Sequence, residues 1–214
     1  MKIGVIGAGN VGGTLGRRWA QGGHTVVFGV RDPAEEKVRS LLASAGAPAR
    51  AGRVEEAAAA SEVVVLTVPW EAAHDAVRRA GDLTGKVLVD ATNPVAMGSA
   101  GLQQGLLIGH TTSAAEQVVA WARGARVVKA FNTTGFGNMN DPRYGSQAAT
   151  MFLCGDDAEA KAVVTQLGQE IGFEMIDAGS LPIARLLEPL AMLWIHLAVF
   201  QGLGPDIALT LQRR

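Results

Sequence analysis

The chain begins Met1-Lys2-Ile3-Gly4-Val5-Ile6-Gly7-Ala8-Gly9-Asn10-Val11-Gly12, an apolar run over residues 3–6 that leads straight into Gly7-x-Gly9-x-x-Gly12. The run reads as a buried parallel strand, and the three glycines allow the tight turn, close backbone approach and helix packing that a pyrophosphate needs. From Asn10 onward Leu15 and Trp19 fall four apart on one face, and Gly22-Gly23 ends the helix. In a chain with 27 glycines among 214 residues the motif alone is weak evidence, but it occurs once and lies between strand-like and helix-like sequence. A dinucleotide is the first ligand it implies, with its phosphates over Gly7, Gly9 and Gly12 at the start of the helix.

Outward from this motif the pattern alternates. Residues 25–30 read as a second strand and residues 33–42 as a helix with Asp32 as its cap and Pro33 at its first position. Residues 47–51 suggest a short third strand, 54–60 Ala-rich helical turns, and 63–68 an uninterrupted β-branched run of the kind found in sheets covered on both faces. Helix 71–80, strand 86–90, helix 113–122 and strand 126–131 continue the rhythm, which predicts an α/β fold built on a doubly wound parallel sheet, the Rossmann NAD(P)-binding fold. Residues 92–112 and 132–149 interrupt it, and both leave the carboxyl end of a strand, where open α/β sheets bind ligands. The remainder reads as strand 150–154, helix 156–171, strand 173–176 and an apolar helix from about residue 183 to 201. We therefore expect a dinucleotide-binding domain over residues 1–149 and a small C-terminal α/β extension over 150–214, packed as one compact unit.

Composition narrows the partners. With 48% hydrophobic and 18% charged residues the chain is ordinary globular material, and a net charge of −1 leaves no electrostatic footprint for nucleic acid or an anionic membrane surface. The apolar run 190–200 is broken by His196 and falls short of the ~20 residues that span a bilayer. Cys154 is the only cysteine, so no internal disulfide can form, and a cytoplasmic protein acting on small-molecule cofactor-substrates is expected. His24, His74, His110 and His196 are scattered without metal-ligand spacing, and no Gly-x-Ser-x-Gly elbow appears, so neither a metal site nor hydrolytic chemistry is expected. Leu187, Leu190, Leu193, Trp194 and Leu197 form an apolar stripe that either enters the core or makes a homodimer interface.

The end of the second strand selects the nucleotide. An acid there binds the ribose 2′-hydroxyl of NAD and repels a 2′-phosphate. Here the strand ends Phe28-Gly29-Val30-Arg31-Asp32-Pro33, with Val30 in the acidic position and a guanidinium next to it. Arg31 can hold a phosphate through two hydrogen bonds and stack on adenine, so NADP (NADPH) is preferred. Asp32 taking the ribose is the alternative.

Three further strands end in Thr67-Val68-Pro69-Trp70, Asp90-Ala91-Thr92-Asn93-Pro94 and Lys129-Ala130-Phe131-Asn132. In a doubly wound sheet these ends converge near the phosphate turn, so their backbone groups together with Asn93 and Asn132 line the nicotinamide half.

These residues resemble the family of short NADPH-dependent reductases of the deazaflavin coenzyme F-420 (F420). The resemblance rests on Gly7-Ala8-Gly9-Asn10-Val11-Gly12, on Val30-Arg31-Asp32-Pro33, on Thr67-Val68-Pro69-Trp70, and on Gly85 through Pro94. Val128-Lys129-Ala130-Phe131-Asn132, Gly155-Asp156-Asp157 and Ala184-Arg185-Leu186-Leu187-Glu188-Pro189-Leu190 extend it over nearly the whole chain. It implies hydride exchange between a nicotinamide and a deazaflavin in an open cleft. It also implies that Ala8, Asn10 and Val11 touch the pyrophosphate, Arg31 the 2′-phosphate, and Val68, Pro69 and Ala130 the nicotinamide end, with no catalytic acid or base. The family often has a serine or threonine where this chain has Val30. The same small fold also resembles flavin-linked ferric reductases and imine reductases, so FMN or FAD as second ligand, quinone or imine reduction, and a non-catalytic NADP-binding sensor stand as alternatives.

Overall fold

The structure, a computed structural model, describes residues 1–98 and 101–214. Five strands come first, all but the third rich in β-branched or apolar residues: β1 (Lys2–Ile6), β2 (Thr25–Gly29), β3 (Ala49–Gly52), β4 (Val63–Leu66) and β5 (Val87–Asp90). A hairpin follows, β6 (Val95–Gly98) with β7 (Gly101–Leu106), and then β8 (Arg126–Lys129). The small hairpin β9 (Arg143–Tyr144) and β10 (Gln147–Ala148) precedes β11 (Thr150–Gly155) and β12 (Glu174–Asp177). The central sheet runs β12-β11-β8-β5-β4-β1-β2-β3. All pairings from β3 to β8 are parallel, so the expected doubly wound Rossmann order is present.

Helices α1 (Asn10–Gln21), α2 (Glu36–Ala45), α3 (Val54–Ala59), α4 (Trp70–Ala80) and α5 (Ala114–Trp121) lie in the strand-to-strand connections. They bury Leu15, Trp19 and Phe28 with Ile3 and Val5 in one apolar cluster, and Ile6, Val64, Leu66, Leu88 and Val77 in a second. Sandwiching between helical layers is why the strands carry apolar residues at consecutive positions rather than alternate ones.

The structure corrects several boundaries. Helix α2 starts at Glu36, not Pro33, because Asp32 Oδ1 accepts the Ala34 N–H at 2.9 Å and closes a local turn before the helix. Strand β4 stops at Leu66 and β8 at Lys129, where Phe131 turns the chain with φ +60°. The stretch 92–112, read as irregular, contains the β6–β7 hairpin, and 132–149 holds the short helix α6 (Phe136–Asn140) and the β9–β10 hairpin. A five-residue helix cannot make a parallel crossover, and β11 accordingly returns antiparallel to β8, with Cys154 opposite Lys129. Beyond it α7 (Ala158–Glu170) carries the chain to β12, parallel to β11, so residues after 150 extend the same sheet.

The final helix spans nearly the residues expected, 181–200 against about 183–201. A 3₁₀ turn (Leu181–Ile183), α8 (Ala184–Ile195) and a π-helical turn (His196–Phe200) are continuous over 20 residues, long and apolar enough by length and composition to cross a membrane. One face is nonetheless built into the fold: Leu187, Glu188, Ala191 and Trp194 are buried, while Leu186, Leu193 and Val199 stay exposed. The C-terminal segment binds across this helix, since the Ile207 carbonyl accepts from Trp194 Nε1 at 2.8 Å and from Asn138 Nδ2 at 2.7 Å.

Candidate functional site

The glycine turn is built for an anion. Gly7 sits at φ +102°, and its N–H donates to the Gly29 carbonyl at 3.0 Å, so the turn is tied to the end of β2. A Cβ on Gly12 would stand 2.1 Å from the Gly7 carbonyl oxygen and 2.3 Å from Thr67 Oγ1, whereas nothing lies within 4 Å of a Cβ on Gly9. The second glycine thus faces open space and the third lets α1 close on the turn. Helix α1 starts with Gly9 as its cap, with no side-chain cap bond and no acid in its first turn. Its leading N–H groups and the positive end of its dipole therefore remain for a phosphate, and a pyrophosphate fits this cradle. Gly9 and Asn10 are exposed, while Ala8 and Val11 are half-buried and pack on the core, so the latter two offer the site mainly backbone.

At the end of β2, Val30 is buried and donates its N–H to the Gly52 carbonyl at 2.9 Å. Asp32 is engaged in its own turn, which leaves the exposed Arg31 as the charged group at that strand end.

The three other strand ends behave differently from one another. Thr67 Oγ1 donates toward the carbonyls of Ile6 (2.9 Å) and Gly7 (3.0 Å), so Thr67 braces the glycine turn rather than presenting a free hydroxyl. Val68 is half-buried and Pro69 exposed beside it, whereas Ala130 is fully buried and its side chain offers no surface to the edge. Asn93 and Asn132, 39 residues apart in sequence, are brought together: Asn93 Nδ2 donates to the Asn132 carbonyl at 2.8 Å and Asn132 Nδ2 to Asn93 Oδ1 at 3.1 Å. Asn132 also donates to the Leu187 carbonyl at 3.2 Å, and its Oδ1 is buried without a donor among the described residues. A buried acceptor left without a partner costs about 1–3 kcal/mol.

Beneath these turns lies a group that sequence reasoning missed. Lys129 Nζ, fully buried, contacts Asp90 Oδ2 at 2.9 Å, Glu188 Oε1 at 2.9 Å and the Thr92 carbonyl at 2.6 Å. Asp90 Oδ1 accepts from the Thr92 N–H (2.9 Å) and hydroxyl (2.7 Å), and Glu188 accepts from the N–H groups of Ala114 (2.9 Å) and Ala115 (3.2 Å) at the start of α5. Burial alone pushes the Lys129 ammonium toward a lower pKa, but Asp90 and Glu188 outweigh it and hold the value above that of an ordinary lysine. The signal available in the sequence was a charged residue ending each of two apolar strands and an acid inside an apolar helix.

An apolar groove of about 700 Å³ runs between residues 106–110 and α8, with Leu107, Leu186, Pro189 and Leu193 among its walls and Arg185 on its rim. Hydrogen bonding from Arg185, 2.9 Å from Nε to Glu116 Oε2, holds the Glu116 carboxyl below the usual range. Among the described residues no group of three potential metal ligands occurs. Cys154 is buried, and desolvation pushes its thiol up to about 12. It is expected to resist alkylation at pH 8 in the folded protein and to react on unfolding, as a mass-shift assay would read.

A doubly wound sheet whose first crossover is an uncapped glycine turn is the architecture of a dinucleotide-binding protein. Comparison with known proteins refines the class. The family model for NADP oxidoreductase, coenzyme F420-dependent, matches residues 2–94. The chain is 31% identical over 209 residues to the F420-dependent NADP reductase of Methanothermobacter marburgensis, covering 93% of each chain. It is 32% identical over 192 residues to the metalloreductase STEAP3 of Rattus norvegicus, covering 89% of this chain but spanning only 36% of that longer protein. A crystal structure from Arthrobacter sp. fb24, provisionally described as an F420-dependent NADP reductase, superposes with a TM-score of 0.90 at 33% identity over all of both chains. The chain belongs to the F420-dependent NADP reductase family and is an NADP-dependent oxidoreductase. FMN and FAD, the alternative second ligands, gain no support from these relatives.

Proposed function

We propose that the protein transfers a hydride between NADP(H) and the deazaflavin coenzyme F420 in the cytoplasm. The observation that supports this reading is the carboxyl edge itself: the glycine turn follows β1, Arg31 follows β2, Pro69 follows β4, Asn93 follows β5 and Asn132 follows β8, all at the same end of one parallel run of strands. When bound, NADPH supplies a hydride, and such a reaction asks the protein for proximity and orientation rather than proton transfer. The N–H groups that open α1 hold the diphosphate, Arg31 the 2′-phosphate, and Val68, Pro69, Asn93 and Asn132 frame the nicotinamide end. The share of a relative's chain that is matched, 93% for the Methanothermobacter marburgensis reductase, supports F420 as the partner over the metal substrates implied by the name of STEAP3.

Stopped-flow mixing of NADPH-loaded protein with F420, FMN, FAD, a quinone and a cyclic imine tests the acceptor. Rapid NADPH oxidation by F420 alone is expected, and no oxidation by F420 would overturn the reading. In the same protein Arg31→Ala is expected to weaken NADPH binding by about 10- to 100-fold while leaving NADH nearly unchanged, the size of a charged hydrogen-bonding contact.

We also propose a homodimer in which a second copy covers Leu186, Leu193 and Val199, an exposed apolar strip along the last helix. Light scattering is expected to give twice the 22.2 kDa monomer mass. A monomer at micromolar concentration would discard the dimer.

A further inference from the structure

The turn after β8 is held from both sides by one turn of α8. Phe131, packed edge-on to Trp19 with ring centroids 5.7 Å apart and 6.4 Å from Phe173, adopts φ +60°, which a bulky side chain keeps only where its surroundings over-determine it. Before it, Lys129 is fixed by Glu188 and Asp90; after it, Asn132 is fixed by the Leu187 carbonyl and by Asn93. Leu187 and Glu188 are adjacent, so the helix that walls the apolar groove also grips both ends of the turn. Glu188 has no surface for a ligand, being 1% exposed, and its oxygens are spent on Lys129, Ala114 and Ala115.

We propose that Glu188 is a positioning residue for the hydride-transfer end of the site: through Lys129, and through the neighbouring Leu187 carbonyl on Asn132, it holds the 129–132 turn against β5 and so seats the nicotinamide. This rests on the reading that the nicotinamide lies at that edge. Glu188 acts at a distance from the phosphates, so its loss loosens one end of the nucleotide and not the other. Glu188→Gln keeps the shape and removes the charge that Lys129 and the start of α5 share.

The experiment compares full-length wild type, Glu188→Gln and Asn132→Ala in three measurements. These are the NADPH dissociation constant, the anisotropy of nicotinamide emission at saturating protein, and the single-turnover rate of NADPH oxidation by F420. For Glu188→Gln the dissociation constant is expected to stay within about threefold of wild type, because the glycine cradle and Arg31 are untouched. The anisotropy is expected to fall and the rate to drop about tenfold or more, the cost of a misplaced reacting end. Asn132→Ala leaves the buried ions alone and is expected to show the same loss of anisotropy, which keeps the test open if Glu188→Gln does not accumulate folded protein. Wild-type anisotropy in either folded variant, or losses that merely track the unfolded fraction by circular dichroism, would overturn the assignment. Failure of F420 to oxidise NADPH on the wild type would instead overturn the acceptor, leaving the anisotropy comparison in force.

Discussion

Gly12→Ala is expected to abolish NADPH binding, with a loss of about 100-fold or more in affinity, equivalent to roughly 2.7 kcal/mol. The new methyl would lie 2.1 Å from the Gly7 carbonyl oxygen, a backbone atom whose own residue is pinned by its N–H to Gly29. The other obstacle, Thr67 Oγ1 at 2.3 Å, is itself bonded to the turn, so neither neighbour can give way without moving α1 off β1. Overpacking of this kind costs about 1–3 kcal/mol in stability as well. Gly9→Ala separates the two effects. Its methyl would meet nothing within 4 Å in the protein, so the fold is expected to keep its melting temperature while the phosphate loses its closest approach. Isothermal titration with NADPH alongside thermal unfolding reads both; a Gly12→Ala protein that binds NADPH normally would refute the cradle.

The contrast between these glycines marks what could be read from residues alone. That a Gly-x-Gly-x-x-Gly turn joins a strand to a helix is a local statement about backbone freedom, and the alternation of apolar runs extended it to a doubly wound parallel sheet, which the pairings from β3 to β8 form. The exposed place of Arg31 just past the second strand was legible for a similar reason, being fixed by its distance from the end of that strand. The antiparallel return of β11 was not, because strand direction depends on where residues 132–149 cross the sheet, and their composition says only that they are irregular. Nor were the hydrogen bonds of the Thr67 hydroxyl or the burial of Lys129. A threonine at a strand end suits a ligand or a neighbouring carbonyl equally well, and only the placement of Gly7 beside it decides for the latter. Asp90, Lys129 and Glu188 lie far apart in sequence, so their meeting is a consequence of tertiary packing that no spacing rule encodes.

Lys129→Met is expected to be the most destabilising single substitution discussed, at about 3–5 kcal/mol near neutral pH, because it leaves Asp90 and Glu188 facing one another in the interior without their shared cation. In the wild type the fold raises the Lys129 pKa, so the ammonium's contribution is complete below the unfolded value of about 10.4. It is lost only as the pH climbs through the higher folded value. The native protein is thus expected to hold this contribution unchanged from pH 6 to 9 and to lose it in stronger alkali. The variant lacks the cation at every pH, so its deficit against wild type is expected to be constant from pH 6 to 9 and to narrow in stronger alkali, where the wild type loses the ammonium. Urea unfolding at several pH values measures the difference. A deficit that persists undiminished in strong alkali, or one below about 1 kcal/mol at neutral pH, would mean that Asp90 and Glu188 are satisfied by Thr92, Ala114 and Ala115 without the lysine, and that the cluster ties the sheet to α8 through backbone hydrogen bonds rather than charge.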